Sequence, residues 1–123
     1  MHKTITIPTI PITHNELLRQ AYRASGWRPN AVQREKWRKR IRTVAGLPRY
    51  DEPQGKVRVT ITVYRGRRQD PDNVGGSLKP VLDALKDCGW IVDDSPKWID
   101  LVAVERTAKK AERRTVIELE DGI

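Results

Sequence analysis

Residues 56–94, KVRVTITVYRGRRQDPDNVGGSLKPVLDALKDCGWIVDD, decide the fold of this 123-residue chain. Their first nine residues alternate apolar and polar side chains between two glycines, which is the pattern of a half-buried strand. A second segment begins near Ser77 and ends at Gly89, and its apolar residues recur at helical spacing. The stretch therefore predicts a strand followed by a helix, with Pro80 in the first turn of that helix, where a missing N–H is tolerated.

Working outward, the flanking sequence predicts further strands and helices. Residues 4–7 alternate and end at a proline, which indicates a first strand. Helical spacing extends over residues 15–26 and, more clearly, over residues 30–44. Residues 98–106 and 113–120 are predicted to be two closing strands that form a hairpin. The order strand, helix, strand, helix, strand, strand predicts an α+β domain, a mixed sheet with helices packed on one face.

The helix predicted over residues 30–44 has one apolar face and is basic elsewhere. Trp37, Ile41 and Val44 share the face that we expect to join the core. Packing that face turns the basic side chains outward, where we expect contacts with phosphates. The candidate phosphate-binding residues on this helix are Arg34, Arg38, Lys39 and Arg42. Trp27, just before the helix, could stack on an unpaired base, although a core position is the commoner role of a tryptophan.

Charge is unevenly distributed along the chain, whose formal net charge is +8. Residues 19–49 contain ten Lys or Arg and one acidic residue, whereas residues 70–105 contain eight Asp or Glu and three Lys. A dense basic segment attracts polyanions independently of sequence, so nucleic acid is the favoured partner. The alternative is that the basic residues form an ordinary solvated helix surface.

Length and cysteine content limit the class of protein. The chain, residues 1–123, is expected to be one domain, large enough for a modest core. Cys88 is the sole cysteine, which excludes an intramolecular disulfide and a thiolate tetrad and fits a reducing cytoplasm. Neither a leader peptide nor a run of about 18 apolar residues is present in the sequence, so we expect no membrane contact.

Four aspartates, Asp70, Asp72, Asp93 and Asp94, flank the predicted helix of residues 77–88. Paired carboxylates repel one another unless a divalent cation neutralises them, so the cluster predicts a metal site in a protein that attracts polyanions. Each half also has a simpler interpretation, because Asp-Pro-Asp-Asn and Asp-Asp-Ser-Pro are both common in turns. Their joint occurrence favours metal-dependent cleavage of nucleic acid.

The ordered motifs resemble the RusA-type Holliday junction resolvases, crossover-junction endodeoxyribonucleases of bacteria and phage that act in DNA recombination and repair. The resemblance rests on three blocks: Asp70-Pro71-Asp72-Asn73, then Lys79-Pro80-Val81-Leu82-Asp83-Ala84-Leu85, then Gly89-Trp90-Ile91-Val92-Asp93-Asp94. It also includes the first strand running to Asn15, the arginine-rich approach to the first block, and the two closing strands.

The resemblance implies a dimeric, Mg²⁺-dependent nuclease, with Mn²⁺ a candidate substitute. Asp70, Asp72 and Asp94 match the family's metal-binding catalytic aspartates, and Lys79 matches its catalytic lysine. One departure concerns that lysine, which in the family follows Asp-x-Asp-Asn after two residues and here after five. An extra loop at residues 75–76 would account for the difference. A simple surface ion pair between Lys79 and Asp83 is the alternative role.

The implied substrate is a four-way DNA junction, whose two-fold symmetry calls for paired cuts by a C₂ homodimer. No small-molecule cofactor is expected. The candidate DNA contacts outside the basic helix are Arg65, Arg67, Arg68, Asn73 and Asn15. The competing hypothesis is a non-catalytic basic nucleic-acid-binding protein in which the aspartates only form turns.

Overall fold

A computed structural model describes residues 2–23, 29–48, 55–69 and 71–121. Four strands and three helices follow one another along the chain. In order they are β1 (His2–Ile7), α1 (His14–Arg23), α2 (Pro29–Ala45), β2 (Val57–Arg65), α3 (Pro71–Asp87), β3 (Ile99–Thr107) and β4 (Arg114–Asp121). A short 3₁₀ turn (Lys110–Glu112) separates the last two strands.

The strands form one mixed sheet in the order β1-β4-β2-β3. β2 and β3 are parallel and are joined through α3, whereas β4 runs antiparallel to both β1 and β2. The register sets Ile5 opposite Ile117, and Ile117 opposite Ile61, so alternate residues of three strands meet on one face. The predicted α+β class with a mixed sheet is confirmed. Two helices, α1 and α2, precede β2, where the predicted order counted one.

The core lies between that face and the helices α2 and α3. α2 contributes Trp37 and Ile41, while α3 contributes a broader stripe that includes Leu78, Val81 and Leu85. Each of these five side chains is at most 1% exposed. Their burial fixes which sides of α2 and α3 remain at the surface, and the candidate site residues are found there. Among the described residues, no helix is long and apolar enough to cross a membrane.

The predicted hairpin of the last two strands is wrong, because β2 lies between β3 and β4. Ile117 and Leu119 of β4 are fully buried, since β4 finds apolar neighbours on both β1 and β2. β3 is an edge strand, and its Leu101 and Val102 are each 39% exposed. Adjacent alternating segments favour a hairpin locally, and only the burial of β4 on both sides overrides that preference.

The start of α3 also differs from the prediction. The helix begins at Pro71, six residues before Ser77, so Gly75 and Gly76 are helical and form no loop. Pro80 consequently lies within the helix instead of in its first turn, where it removes the hydrogen bond to the carbonyl of Gly76. Proline is favoured as the first residue of a helix because its φ is already helical. The Asp70-Pro71 pair was therefore a helix-start signal that resembles a turn.

α2 agrees with the prediction over residues 30–44 and differs at one core position. Trp37 and Ile41 are buried, but Val44 is 50% exposed, because the last turn of the helix reaches beyond the core and only Ala45 packs there. The core contact of α2 is thus a narrow row. Trp27 lies outside the described residues.

Candidate active site

The predicted metal ligands fall at the amino end of α3 and in the loop that follows it. Asp70 lies outside the described residues, and Asp72 is the second residue of α3, with its backbone placed and its side chain not described. Asp93 and Asp94 lie in the loop of residues 88–98, which connects α3 to β3. Among the three predicted metal-binding aspartates, Asp94 is therefore the one whose side-chain contacts the structure describes.

This loop folds back along α3 and places both of its aspartates against lysines of that helix. Lys79 Nζ lies 2.5 Å from Asp94 Oδ2, and Lys86 Nζ lies 3.3 Å from Asp93 Oδ1. The two lysines are seven residues apart, which is about two helical turns, so they lie on the same side of α3. The second and third sequence blocks, fifteen residues apart at Lys79 and Asp94, thus meet in space.

Lys79 contacts a second carboxylate as well, because its Nζ lies 3.2 Å from Asp83 Oδ1. The predicted i,i+4 surface pair and the predicted approach to Asp94 are therefore both present. The hydrogen bond that Lys79 donates to Asp94 is the main cause that raises the pKa of Lys79 above its ordinary value. The raised pKa keeps this ammonium protonated at neutral pH. The side chain is 53% exposed, so an incoming anion can reach it.

The extra spacing before Lys79 is accommodated by the helix. Two intervening residues after Asn73 would put the lysine at position 76, and here it stands at position 79, three residues further along α3. Residues at i and i+3 of a helix are neighbours on one face. The lysine therefore advances by about one turn along the same side, roughly 4.5 Å along the axis.

Position 76 is instead covered by His14, the first residue of α1. A Cβ built on Gly76 would lie 2.3 Å from His14 Nδ1 and 2.4 Å from His14 Cγ. Such distances are far inside van der Waals contact, so only glycine leaves room for the imidazole. Sequence analysis did not identify this contact, because it placed Gly76 in a loop before the helix, whereas the helix includes it.

The segment that leads into Asp70 is fixed by a buried ion pair. Arg65 and Glu105 are 5% and 8% exposed, and Arg65 Nε lies 3.1 Å from Glu105 Oε1. The backbone N–H of Gln69 donates to the other oxygen, Glu105 Oε2, over 2.7 Å. Burial lowers the pKa of Arg65, and the charge of Glu105 opposes that shift. Arg65 is thus bound within the protein, whereas Arg67 and Arg68 are exposed.

The basic residues of α2 divide into paired and unpaired groups. Arg34 donates two hydrogen bonds to Asp87, of 2.6 Å from Nε and 2.5 Å from Nη2, and these bonds raise the pKa of Arg34 and lower that of Asp87. Arg38 pairs with Glu35 on its own helix. Lys39 and Arg42 are exposed, and neither has an ion-pair partner among the described residues.

The remaining predicted contacts lie on α1 and α3. Asn15 is exposed in the first turn of α1, and Asn73 is half-buried in the first turn of α3. A cleft of about 570 Å³ opens beside Asn73's helix, between the amino end of α3 and the edge strand β3. Its lining residues are Arg68, Gln69, Val74, Gly75, Ala103 and Glu105. The cleft therefore adjoins the Asp70 segment on the side that faces β3.

Among the side chains that the structure describes, no three His, Cys, Asp or Glu residues form a group that could hold one metal ion. The predicted metal ligands include Asp70 and the side chain of Asp72, which lie outside the described part of the chain.

No protein-family model matches the chain, and no curated protein matches it significantly.

Proposed function

We propose that this protein is a divalent-metal-dependent endodeoxyribonuclease that cuts four-way DNA junctions, the activity of the RusA-type resolvases that its motifs resemble. The observation that supports this best is the 2.5 Å contact between Lys79 and Asp94, because it joins two of the three motif blocks at one surface. The contact brings the lysine of the second block and the aspartate of the third to one surface, as a single polar site requires.

The proposed metal is Mg²⁺, held by Asp70, Asp72 and Asp94. The chemistry of the donors fits it, since Mg²⁺ prefers carboxylate oxygens and these candidates include no thiolate or imidazole. The side chain of Asp94 is 25% exposed, so an ion in solution can reach its carboxylate. When bound, the ion would supply an activated water and would neutralise charge on the phosphate.

The protein's own groups would orient and neutralise the substrate phosphate. The raised pKa of Lys79 keeps its ammonium charged throughout the neutral range, so it can donate to a phosphate oxygen where negative charge develops. Asp83 and Asp94 hold that ammonium from two sides, which restricts where it can lie. Glu105 fixes the backbone of Gln69 and thereby the direction in which the chain enters Asp70.

The protein surface carries exposed cations that suit a polyanion. Arg67, Arg68, Lys39 and Arg42 are exposed without ion-pair partners among the described residues, and we assign them to phosphate contacts. Asn15 and Asn73 are assigned to polar contacts with the DNA strand. Arg65 and Arg34 have structural roles in this assignment, because each is bound by a carboxylate of the protein.

The proposed homodimer would form along the free edge of β3. An exposed edge strand is a template for pairing with another copy, and apolar residues on it increase that tendency. Antiparallel pairing about a two-fold axis at Ala103 would set Asp100 of one copy opposite Arg106 of the other, each being three residues from the axis. We therefore expect Ala103→Arg to be monomeric by light scattering at about 50 µM, where the parent protein should be a dimer. A dimeric Ala103→Arg variant or a monomeric parent protein would contradict this interface.

A variant of one aspartate tests the proposed activity itself. Asp72→Asn removes a ligand charge without altering the basic surface, so it should abolish Mg²⁺-dependent cleavage and leave junction binding nearly intact. Glu120→Gln is the matched control, because Glu120 is an exposed carboxylate on β4, which lies neither in the proposed metal site nor at the β3 edge. Cleavage by Asp72→Asn at the parent rate would refute the assignment.

One observation favours the non-catalytic alternative. Asp93 and Asp94 are each already neutralised by a lysine of α3, so they can stabilise the loop of residues 88–98 without any metal. In that case, the protein would bind nucleic acid through its basic surface and cleave nothing. Both functions share DNA binding, and metal-dependent cleavage distinguishes them.

A further inference from the structure

A pocket of about 440 Å³ lies at the carboxyl end of β2, beside the segment that leads into Asp70. Its lining contains four arginines together with Ile10 and Thr13: Arg65, Arg67, Arg68 and Arg113. Like charges gathered around one space repel each other, and an anion placed between them removes that repulsion. The composition of the lining therefore favours an anionic ligand.

One of the four arginines, Arg65, has a carboxylate partner among the described residues. Its ion pair with Glu105 neutralises its charge. Arg67, Arg68 and Arg113 are exposed, and none has an ion-pair partner in the described part of the chain. Three guanidinium groups without a carboxylate partner among the described residues consequently line the pocket. Guanidinium groups match phosphate oxygens with paired hydrogen bonds.

Arg113 lies just before β4, and its guanidinium group lies against the backbone of Gly66. A Cβ built on Gly66 would lie 2.3 Å from Arg113 Nη2 and 2.9 Å from its Cζ, so the guanidinium lies directly against the backbone there. Gly66 has no positive φ, so its backbone conformation does not require glycine. A Cβ at position 66 would therefore move the end of this flexible, exposed side chain away from its place against the backbone.

We propose that Arg67, Arg68 and Arg113 bind a phosphodiester that flanks the cut one on the same DNA strand, with Gly66 admitting Arg113 to the pocket. This inference rests on the proposed function for the identity of the strand. The flanking position follows from the lining, which includes neither Lys79 nor Asp94 but does include Gln69, the residue before Asp70. The pocket would hold the strand in register with the cleavage site.

Binding of a labelled four-way junction, measured without divalent metal from 50 to 300 mM salt, tests the proposal. Arg113→Gln should lower the slope of log affinity against log salt by about 0.9 and weaken binding at 0.1 M salt roughly eightfold, the loss of one phosphate contact. Gly66→Ala moves the guanidinium without changing any charge, so it should weaken binding in the same direction by a smaller factor. The double variant should be no weaker than Arg113→Gln alone.

The matched control is Lys56→Gln, an exposed cation at the other end of β2, which should weaken binding less than about twofold. Junctions with one methylphosphonate at successive positions identify the ligand as a strand phosphate: one position should weaken binding by the parent protein clearly more than it weakens binding by Arg113→Gln, which keeps Arg67 and Arg68 at that phosphate. Unchanged binding by Arg113→Gln and Gly66→Ala, or no such position, would overturn the pocket. A parent protein that binds but does not cut would overturn the nuclease alone, and one that does not bind would overturn both.

Discussion

At the scale of single residues, Lys79 is the position at which the catalytic and the structural interpretations differ most. An exposed i,i+4 ion pair is worth only about 0.3 to 0.5 kcal/mol, so a purely structural Lys79 could be removed with little effect. A preorganised cation beside the reacting phosphate is worth far more, because its loss typically slows the chemical step about 100-fold or more. The contacts with Asp83 and Asp94 permit both roles, and kinetics separates them.

We predict that Lys79→Ala reduces single-turnover cleavage at saturating Mg²⁺ by about 100-fold, with junction binding retained. Lys86→Ala is the matched control, because Lys86 forms the equivalent contact with Asp93 two turns further along α3. A decrease of less than about threefold, equivalent to under roughly 0.7 kcal/mol of barrier, would make Lys79 structural.

Two adjacent glycines of α3 allow a prediction with an internal control. Nothing lies within 4 Å of a Cβ built on Gly75, whereas the same construction at Gly76 meets three atoms of His14, including Cβ at 2.9 Å. Gly75→Ala should stabilise the protein by about 0.5 to 1 kcal/mol through helix propensity. Gly76→Ala should destabilise it by about 1 to 3 kcal/mol, because the base of the His14 side chain cannot move aside. Thermal unfolding measures both; equal shifts would contradict the packing of α1 on α3.

At the scale of elements, the sequence was most informative where the local pattern and the burial agree. β2 and the apolar stripe of α3 have clear periodicity, and the structure contains both. Sequence reasoning failed where one local pattern fits two structures: Asp-Pro begins a helix or a turn, and two alternating segments form a hairpin or separate strands. The pairing of β4 between β1 and β2 depends on contacts far apart in sequence, which no local window contains.

The candidate site shows the same division. Its acidic and basic residues were identifiable from composition and motif spacing, and the structure brings Lys79 to Asp94. The pairings that neutralise Arg65 and Arg34 were not predictable, because Glu105 is 40 residues from Arg65 and Asp87 is 53 residues from Arg34. Sequence indicates which residues are charged, and only the fold indicates which charges are already neutralised.

The ion pair between Arg34 of α2 and Asp87 of α3 predicts that the stability of the protein depends on pH. Hydrogen bonds from Arg34 lower the pKa of Asp87 below its ordinary value of 3.8. A carboxyl with a lowered pKa stabilises the fold above its unfolded pKa, and that contribution is lost as the pH falls through the folded value. Asp87→Asn should therefore be less stable than the parent protein at pH 7, by under about 1 kcal/mol for this partly exposed pair, and the difference should shrink as the pH is lowered below 3.8. Urea unfolding over a series of pH values tests this, and a difference that stays constant as the pH falls would contradict it.

At the scale of the whole molecule, some charges are paired within the protein, and others are exposed and available to a ligand. The sheet and helices bury a single apolar core, β3 lies at an edge of the sheet, and the exposed Arg67, Arg68 and Arg113 have no ion-pair partner among the residues that the structure describes. A C₂ dimer would present two such sites to a junction of matching symmetry. Paired cuts are the consequence that neither a lone nuclease domain nor a binding protein would produce.

The most direct test of this account is incubation of the purified protein with a supercoiled plasmid that extrudes a cruciform, with Mg²⁺ and with EDTA. Two cuts across the junction within one binding event linearise the plasmid, whereas a single cut yields a nicked circle. The account predicts linear product that requires Mg²⁺, appears only when the cruciform is present, and is absent with Asp72→Asn. Junction binding with no cleavage in Mg²⁺ or Mn²⁺ would contradict it and identify the protein as a non-catalytic binder of nucleic acid.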